Sequence, residues 1–415
     1  MGGQASILSH KKLQNKNVLF CSMCCLVYFS SYVTRINYVA AISEIIVSLG
    51  ITKSLASMAV TGSFITYGIG QVFSGIIGDR VKPRTMIFVG LLITSICNII
   101  MATLSNVYAM TVVWCINGLA QSMLWPPLTR IMSENLSPSG YEKTCVAVSA
   151  SASVATISIY LIVPLFITFS GWRVIFMSSA IWGIAVGFLW LFSINALIPT
   201  DQTVTEEIVL KPNASSMNHS TKIFSFGLVS IFAIALLQGV LRDGITTWMP
   251  SYLNDVYHFG TSISILSTAI LPVFSIVSVY VASYIHKLLK NELKANAFIW
   301  IVAFVCSFVL ILVFATKIIP SFIMMVIITA SMHGINLMLV SVYPSRYKKI
   351  GRVSTISGII NAFTYAGSAI ASYGIAALSD AFGWKITIIT WCIIAFFGTI
   401  LSIICTRKSN LTQIY

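Results

Sequence analysis

Two arginines, Arg35 and Arg242, stand deep inside apolar stretches, where a fixed charge is costly unless it faces a cavity and has a task there. Guanidinium forks suit phosphate or carboxylate oxygens in bidentate geometry, and two of them in register repel each other and call for an anion between them. The competing arrangement is local neutralisation, because Asp243 follows Arg242 directly and Glu44 lies nine residues after Arg35. Neighbouring helical residues point about 100° apart, which makes Asp243 a poor partner for Arg242 and favours the anion. Tyr28 and Tyr32 precede Arg35 by seven and three residues, on one helical face with it. They read either as hydroxyl donors to an anion in a dry pocket or as interfacial aromatics with wet hydroxyls. His333, the only histidine in the interior of an apolar segment, reads either as a protonation-sensitive ligand or as a neutral packing residue.

The elements that must position these residues follow from composition. The chain has 415 residues, 57% hydrophobic and 9% charged, against about 25% charged in soluble domains, which excludes a water-soluble fold. Windows of about 20 apolar residues fall near 18–41, 55–77, 85–105, 108–131, 144–169 and 173–195. A second set falls near 223–252, 261–285, 295–316, 320–344, 353–379 and 385–406. The expectation is an all-α membrane protein of twelve helices in two six-helix bundles, 1–195 and 223–415, joined by a polar cytoplasmic linker, 196–222.

The net charge of +14 resides in short loops. With both termini inside, 19 of the 25 basic residues lie on the cytoplasmic side, and Lys53, Arg173, Lys317 and Lys385 lie outside. That leaves Arg35 and Arg242. The nine cysteines sit in or beside apolar stretches, an odd count that is no disulfide framework. Cys21 and Cys24 have redox or metal spacing, but no second pair or histidine completes a site. Residues 1–17 are polar and basic before an apolar run too long for a signal peptide, and the myristoylation-like Gly2 to Ser6 match is read as chance.

The chain also repeats itself. FSGWRV (169–174) and AFGWKI (381–386) are offset by 212 residues, and Arg35 and Arg242 by 207. The two arginines therefore hold equivalent places in the first helix of each half and meet across a pseudo-two-fold axis. GQVFSGIIGDRVKPR (70–84) is similar to the Gly-Asp-Arg signature between the second and third helices of major facilitators. Asp79, with Arg80 and Arg84 in the basic turn, then reads as a gating latch. NGLAQSMLWPPLTR (117–130), LRDGITTWMPSYL (241–253) and YKKIGRVSTISGIINAFTYAGS (347–368) narrow the likeness. Over nearly its whole length the chain resembles the organophosphate:phosphate antiporters, typified by glycerol-3-phosphate and hexose-phosphate transporters.

The resemblance implies that Arg35 and Arg242 bind the substrate phosphate. It implies further that Tyr28, Tyr32, Tyr67, Tyr365 and Gln121 lie at the site. Four positions depart from the family pattern: Gln71 stands for a lysine, Ser151 for a histidine, His333 for a tyrosine and Thr247 for an acid. The expected function is exchange of an organophosphate for inorganic phosphate by alternating access. The rivals are proton-coupled symport of an organic anion, with Glu44, Asp243 or His333 as proton carrier, and a transport-deficient anion sensor. No Gly-Lys-Ser/Thr phosphate loop and no catalytic or metal cluster is present, so neither ATP, an enzyme activity nor a cofactor is expected. The expected partners are a small anion, inorganic phosphate and the lipid bilayer, with no nucleic acid, for a monomer in a bacterial inner membrane.

Overall fold

In a bilayer every backbone polar group must be satisfied within its own segment, and this chain meets the demand with helices alone among the described residues. The computed structural model describes residues 2–51, 53–198, 226–258 and 270–412. The first set of helices is α1 (Gly2–Leu49), α2 (Lys53–Gly78), α3 (Pro83–Thr103), α4 (Val107–Ser122), α5 (Trp125–Asn135), α6 (Pro138–Ser170) and α7 (Trp172–Leu197). The second is α8 (Phe226–Tyr257), α9 (Leu271–Leu289), α10 (Glu292–Val313), α11 (Ile318–Asn336) and α12 (Val353–Thr412). Most of the expected linker, residues 199–222, and the first part of the eighth expected segment, 261–269, lie outside the described residues.

Among the described residues 11 stretches are long and apolar enough to span a membrane. The first arm of α12, residues 353–382, is about 45 Å long at helical rise, long enough for a twelfth crossing. Helices α4 and α5 form one crossing, broken where Pro126 and Pro127 follow Trp125. Helix α11 continues into a π-turn, Leu337–Val342, and a 3-10 turn, Tyr343–Ile350. The burial pattern is that of a lipid-facing bundle. Trp114, Trp190, Trp300 and Trp391 are fully buried between helices, while Phe73, Val112, Phe192 and Leu312 are exposed on the outside.

The two sequence repeats fold alike. Gly171 has φ 77° and ψ 172°, and Gly383 has φ 75° and ψ 174°, a region essentially restricted to glycine. Each turn launches a tryptophan that ties back to the first helix of its own set. Trp172 Nε1 donates to Ser48 Oγ at 2.9 Å, and Trp384 Nε1 donates to Asp255 Oδ2 at 3.1 Å. Ser48 and Asp255 are separated by 207 residues, as are Arg35 and Arg242. The repeat therefore includes the bonds that hold α1 and α8 in place.

Buried polar bonds fix the height and rotation of both arginine-bearing helices. Asn37 Nδ2 donates to Asn98 Oδ1 at 2.7 Å, and Asn98 Nδ2 donates to the Thr34 carbonyl at 3.0 Å. Gln121 accepts from Ser31 Oγ at 2.7 Å and donates to Thr34 Oγ1 at 3.0 Å. These bonds clamp α1 to α3 and α4, and in a medium without water each is expensive to break. In the second set Gln238 Nε2 donates to the Met332 carbonyl at 3.0 Å, joining α8 to α11 beside Arg242 and His333.

Candidate functional site

A cavity of about 370 Å³ lies between the two sets of helices, within the size range of small-ligand sites. Arg35, Tyr28 and Tyr32 reach it from α1, Arg242 and Asp243 from α8, His333 and Asn336 from α11, and Tyr365 and Ser368 from α12. Arg35 is 9% exposed, and among the described residues no carboxylate pairs with it. Aromatic faces hold it instead. Its Cζ lies 4.5 Å from the Tyr32 ring centre and 5.0 Å from that of Tyr67. Ring quadrupoles replace part of a cation's lost hydration, about 2 kcal/mol when desolvated, and leave the unit charge intact.

Arg242 is held differently. Its Nε and Nη2 donate to Asp243 Oδ1 and Oδ2 at 2.8 and 2.9 Å, and Nη2 also donates to Ser368 Oγ at 3.4 Å. This corrects the expectation that Asp243 is a poor partner. Consecutive Cα atoms are only about 3.8 Å apart, and a flexible arginine stem curls back over that distance whatever the angle between the Cβ vectors. Tyr365 completes a bridge of rings between the two cations, 4.6 Å from Tyr67 and 5.9 Å from the Arg242 Cζ.

The structure thus gathers Arg35, Arg242, Tyr28, Tyr32, His333 and Tyr365 around one space, with Tyr67 behind them against Arg35. It does not bring the other three sequence candidates to the wall. Gln121 is spent on the α1 clamp. Gln71 is fully buried where α2 crosses α12, its Nε2 and Oε1 without protein partners. Ser151 donates to the Val148 carbonyl at 2.7 Å, while Ser149, Ala152, Ser153 and Thr156 line the cavity. Residue 151 is turned about 200° from 149 on a helix.

Contacts between the two sets gather at the end bearing the basic turns. Asp79, just past α2, accepts from the Ser354 and Thr355 backbone N–H groups at 2.9 Å each, and from Thr355 Oγ1. A carboxylate from one set thereby caps the N-terminus of α12 in the other, where the helix dipole favours an anion. Burial pushes the Asp79 carboxyl above its ordinary range, opposed by those hydrogen bonds. Beside it the backbones touch. A Cβ on Gly75 would lie 2.9 Å from the Ser354 carbonyl, and one on Gly358 would collide with that of Gln71.

Of the other two residues expected at the gate, Arg84 Nε donates to the Leu191 carbonyl at 2.8 Å, within the first set, and Arg80 is exposed. Sequence reasoning missed Arg130, whose Nη1 donates to the Gly78 carbonyl at 2.7 Å and fastens the end of α2. It also missed a second cross-set contact, in which Glu142 on α6 accepts from Ser283 Oγ at 2.6 Å and meets His286 Nδ1 at 3.1 Å on α9. Arg130 lies in a block that the motif reading singled out, whereas the Glu142–His286 contact leaves no mark in local sequence.

A membrane-spanning bundle that encloses a charged cavity between two repeated sets of helices is built as a carrier. The chain belongs to the Major Facilitator Superfamily, whose profile matches residues 24–372. It is an integral, multi-pass membrane transporter by family and not an enzyme. It is 22% identical over 390 residues to a probable hexose phosphate transport protein of Chlamydia pneumoniae, covering 86% of this chain and 84% of that one. It is 24% identical over 401 residues to the glycerol-3-phosphate transporter of Bacillus subtilis (strain 168), covering 89% and 88%. A membrane sensor protein of Escherichia coli (strain K12), UhpC, is 31% identical over 106 residues, 26% of this chain and 24% of that one. The fold matches that of the solved transporter FucP in its outward conformation, with a TM-score of 0.73 at 12% identity over 94% of this chain and 99% of that one.

Proposed function

We propose that the protein exchanges a small phosphorylated metabolite, such as glycerol-3-phosphate or a sugar phosphate, for inorganic phosphate by alternating access. The observation that carries this reading is Arg35, a buried cation that no carboxylate among the described residues neutralises, facing a cavity with Arg242 across it. A bare charge can remain there only if a ligand anion completes it for part of the cycle. Relatives named for hexose phosphate and glycerol-3-phosphate support the phosphate as the group recognised.

The two sets of helices are the bodies that rock, residues up to 198 against residues from 226. The basic end is cytoplasmic by the positive-inside rule, and with Asp79 latched to α12 the cavity is closed on that side. Closing the opposite side over an empty cavity would bury the Arg35 charge alone, whereas a bound anion neutralises it and permits the switch. Exchange follows, because each crossing needs an anion. A second reading, proton-coupled symport of an organic anion, is favoured by one observation: Asp243 places a carboxylate in the cavity wall.

The test is uptake of labelled inorganic phosphate into phosphate-loaded proteoliposomes, with unlabelled glycerol-3-phosphate, hexose phosphates and sugar acids as competitors. Inhibition by a phosphorylated compound is expected. Inhibition by sugar acids alone would sink the phosphate reading.

A further inference from the structure

The Arg242–Asp243 pair has a consequence for the charge of whatever enters the cavity. Facing it are Arg35, Tyr28 and Tyr32 from α1, Tyr365 from α12 and His333 from α11. Tyrosine is neutral at physiological pH, and an imidazole of ordinary pKa is mostly so at about pH 7. Two guanidinium charges against one carboxylate leave a single unit of positive charge, centred on Arg35. The donors are divided in the same way. Asp243 occupies Nε and Nη2 of Arg242, so Nη1 is the nitrogen left for a ligand, while the whole Arg35 fork is free of carboxylates among the described residues. The site offers one complete bidentate fork and one further donor, and it balances one negative charge.

We infer that Asp243 is a specificity-determining residue that restricts the cavity to monoanions, so that a phosphate is taken in its singly charged form. This rests on the reading of the cavity as a phosphate site. A dianion there would leave one uncompensated negative charge buried beside Asp243, and the carboxylate would have to leave Arg242 or take up a proton for it to stay. A monoanion needs neither.

Inorganic phosphate and sulfate separate the possibilities, because they share tetrahedral shape. Phosphate passes from monoanion to dianion near neutral pH, whereas sulfate is a dianion throughout. Binding of labelled phosphate to the purified protein, and its displacement by sulfate, are measured at about pH 6 and about pH 8. The wild type is expected to bind phosphate roughly tenfold more tightly at the lower pH, following the fraction of monoanion, and sulfate is expected not to displace it at either. In Asp243→Asn, which restores a second net positive charge, sulfate becomes a competitor and the preference for low pH disappears.

Phosphate binding equally well at both values, or sulfate competing with the wild type, overturns the assignment even if the variant does not fold. Sulfate binding that strengthens as pH falls in both the wild type and Asp243→Asn places the added charge on His333 and overturns it as well. If phosphate does not bind at all, the phosphate reading falls with it; if phosphate binds without these dependences, only the role of Asp243 falls.

Discussion

Arg35 and Arg242 stand 207 residues apart at equivalent places in two repeated sets of helices, and their helices are held by equivalent tryptophan bonds. Their surroundings nevertheless differ in kind. Arg35 sits against the rings of Tyr32 and Tyr67 and retains its charge, whereas Arg242 is neutralised by a bidentate bond to its own neighbour. The repeat sets where each cation stands and leaves open what balances it. A site that is symmetric in sequence is thus asymmetric in charge, with an anchor on α1 and an adjustable partner on α8.

The largest expected effect of breaking this asymmetry is at the anchor. Arg35→Ala removes the cation of the cavity that no carboxylate pairs with among the described residues, and the initial rate of phosphate exchange should fall by about 100-fold or more. Arg35→Lys keeps the charge but loses the fork and should remain at least ~10-fold impaired. A lysine variant as fast as the wild type would show that Arg35 acts only as a point charge.

Next comes the partner. Arg242→Ala leaves Asp243 unpaired in a cavity that must attract an anion, so removing both residues should be less harmful than removing the arginine alone. Phosphate affinity of the double variant is expected to exceed that of Arg242→Ala by roughly tenfold, a coupling of the size seen for residues in contact. Additive losses would mean that the pair does not act as a unit.

The basic-end latch should matter less for binding and more for access. Asp79→Ala removes the acceptor for three hydrogen bonds at the start of α12. Labelling of a cysteine placed at Ser149, in a background without native cysteines, should rise by about tenfold for a reagent applied from the basic side. Unchanged labelling would show that Asp79 does not hold that end shut. The smallest effect is expected at Gln71, which is buried without a partner in the same closed contact. Gln71→Leu removes a desolvated amide worth about 1–3 kcal/mol, so the same labelling should fall rather than rise.

How much of this was legible in the sequence depended on how far a feature reaches. Arg35, Arg242 and the tyrosines on α1 announce themselves because a charge in an apolar run is a local signal, and the paired Gly-Trp turns are local too. The Arg242–Asp243 bond was misjudged because side-chain reach, and not the direction of Cβ, decides whether neighbours meet. The contacts of Asp79 with Thr355 and of Glu142 with His286 join distant segments, and one sequence carries no trace of such proximity. Ser151 stands at the family's histidine position only as the resemblance implies it, and a shift of two residues along a helix turns a side chain to another face. The cavity takes Ser149 and Ser153 instead.

The most direct test of the account compares uptake of labelled phosphate into vesicles loaded with phosphate and into empty ones, with and without an inward proton gradient. A cavity that retains a net positive charge when empty predicts uptake only into loaded vesicles, with the gradient adding no uptake to empty ones. Equal uptake into empty vesicles, driven by the proton gradient, would contradict obligate exchange and transfer the coupling to a proton on Asp243.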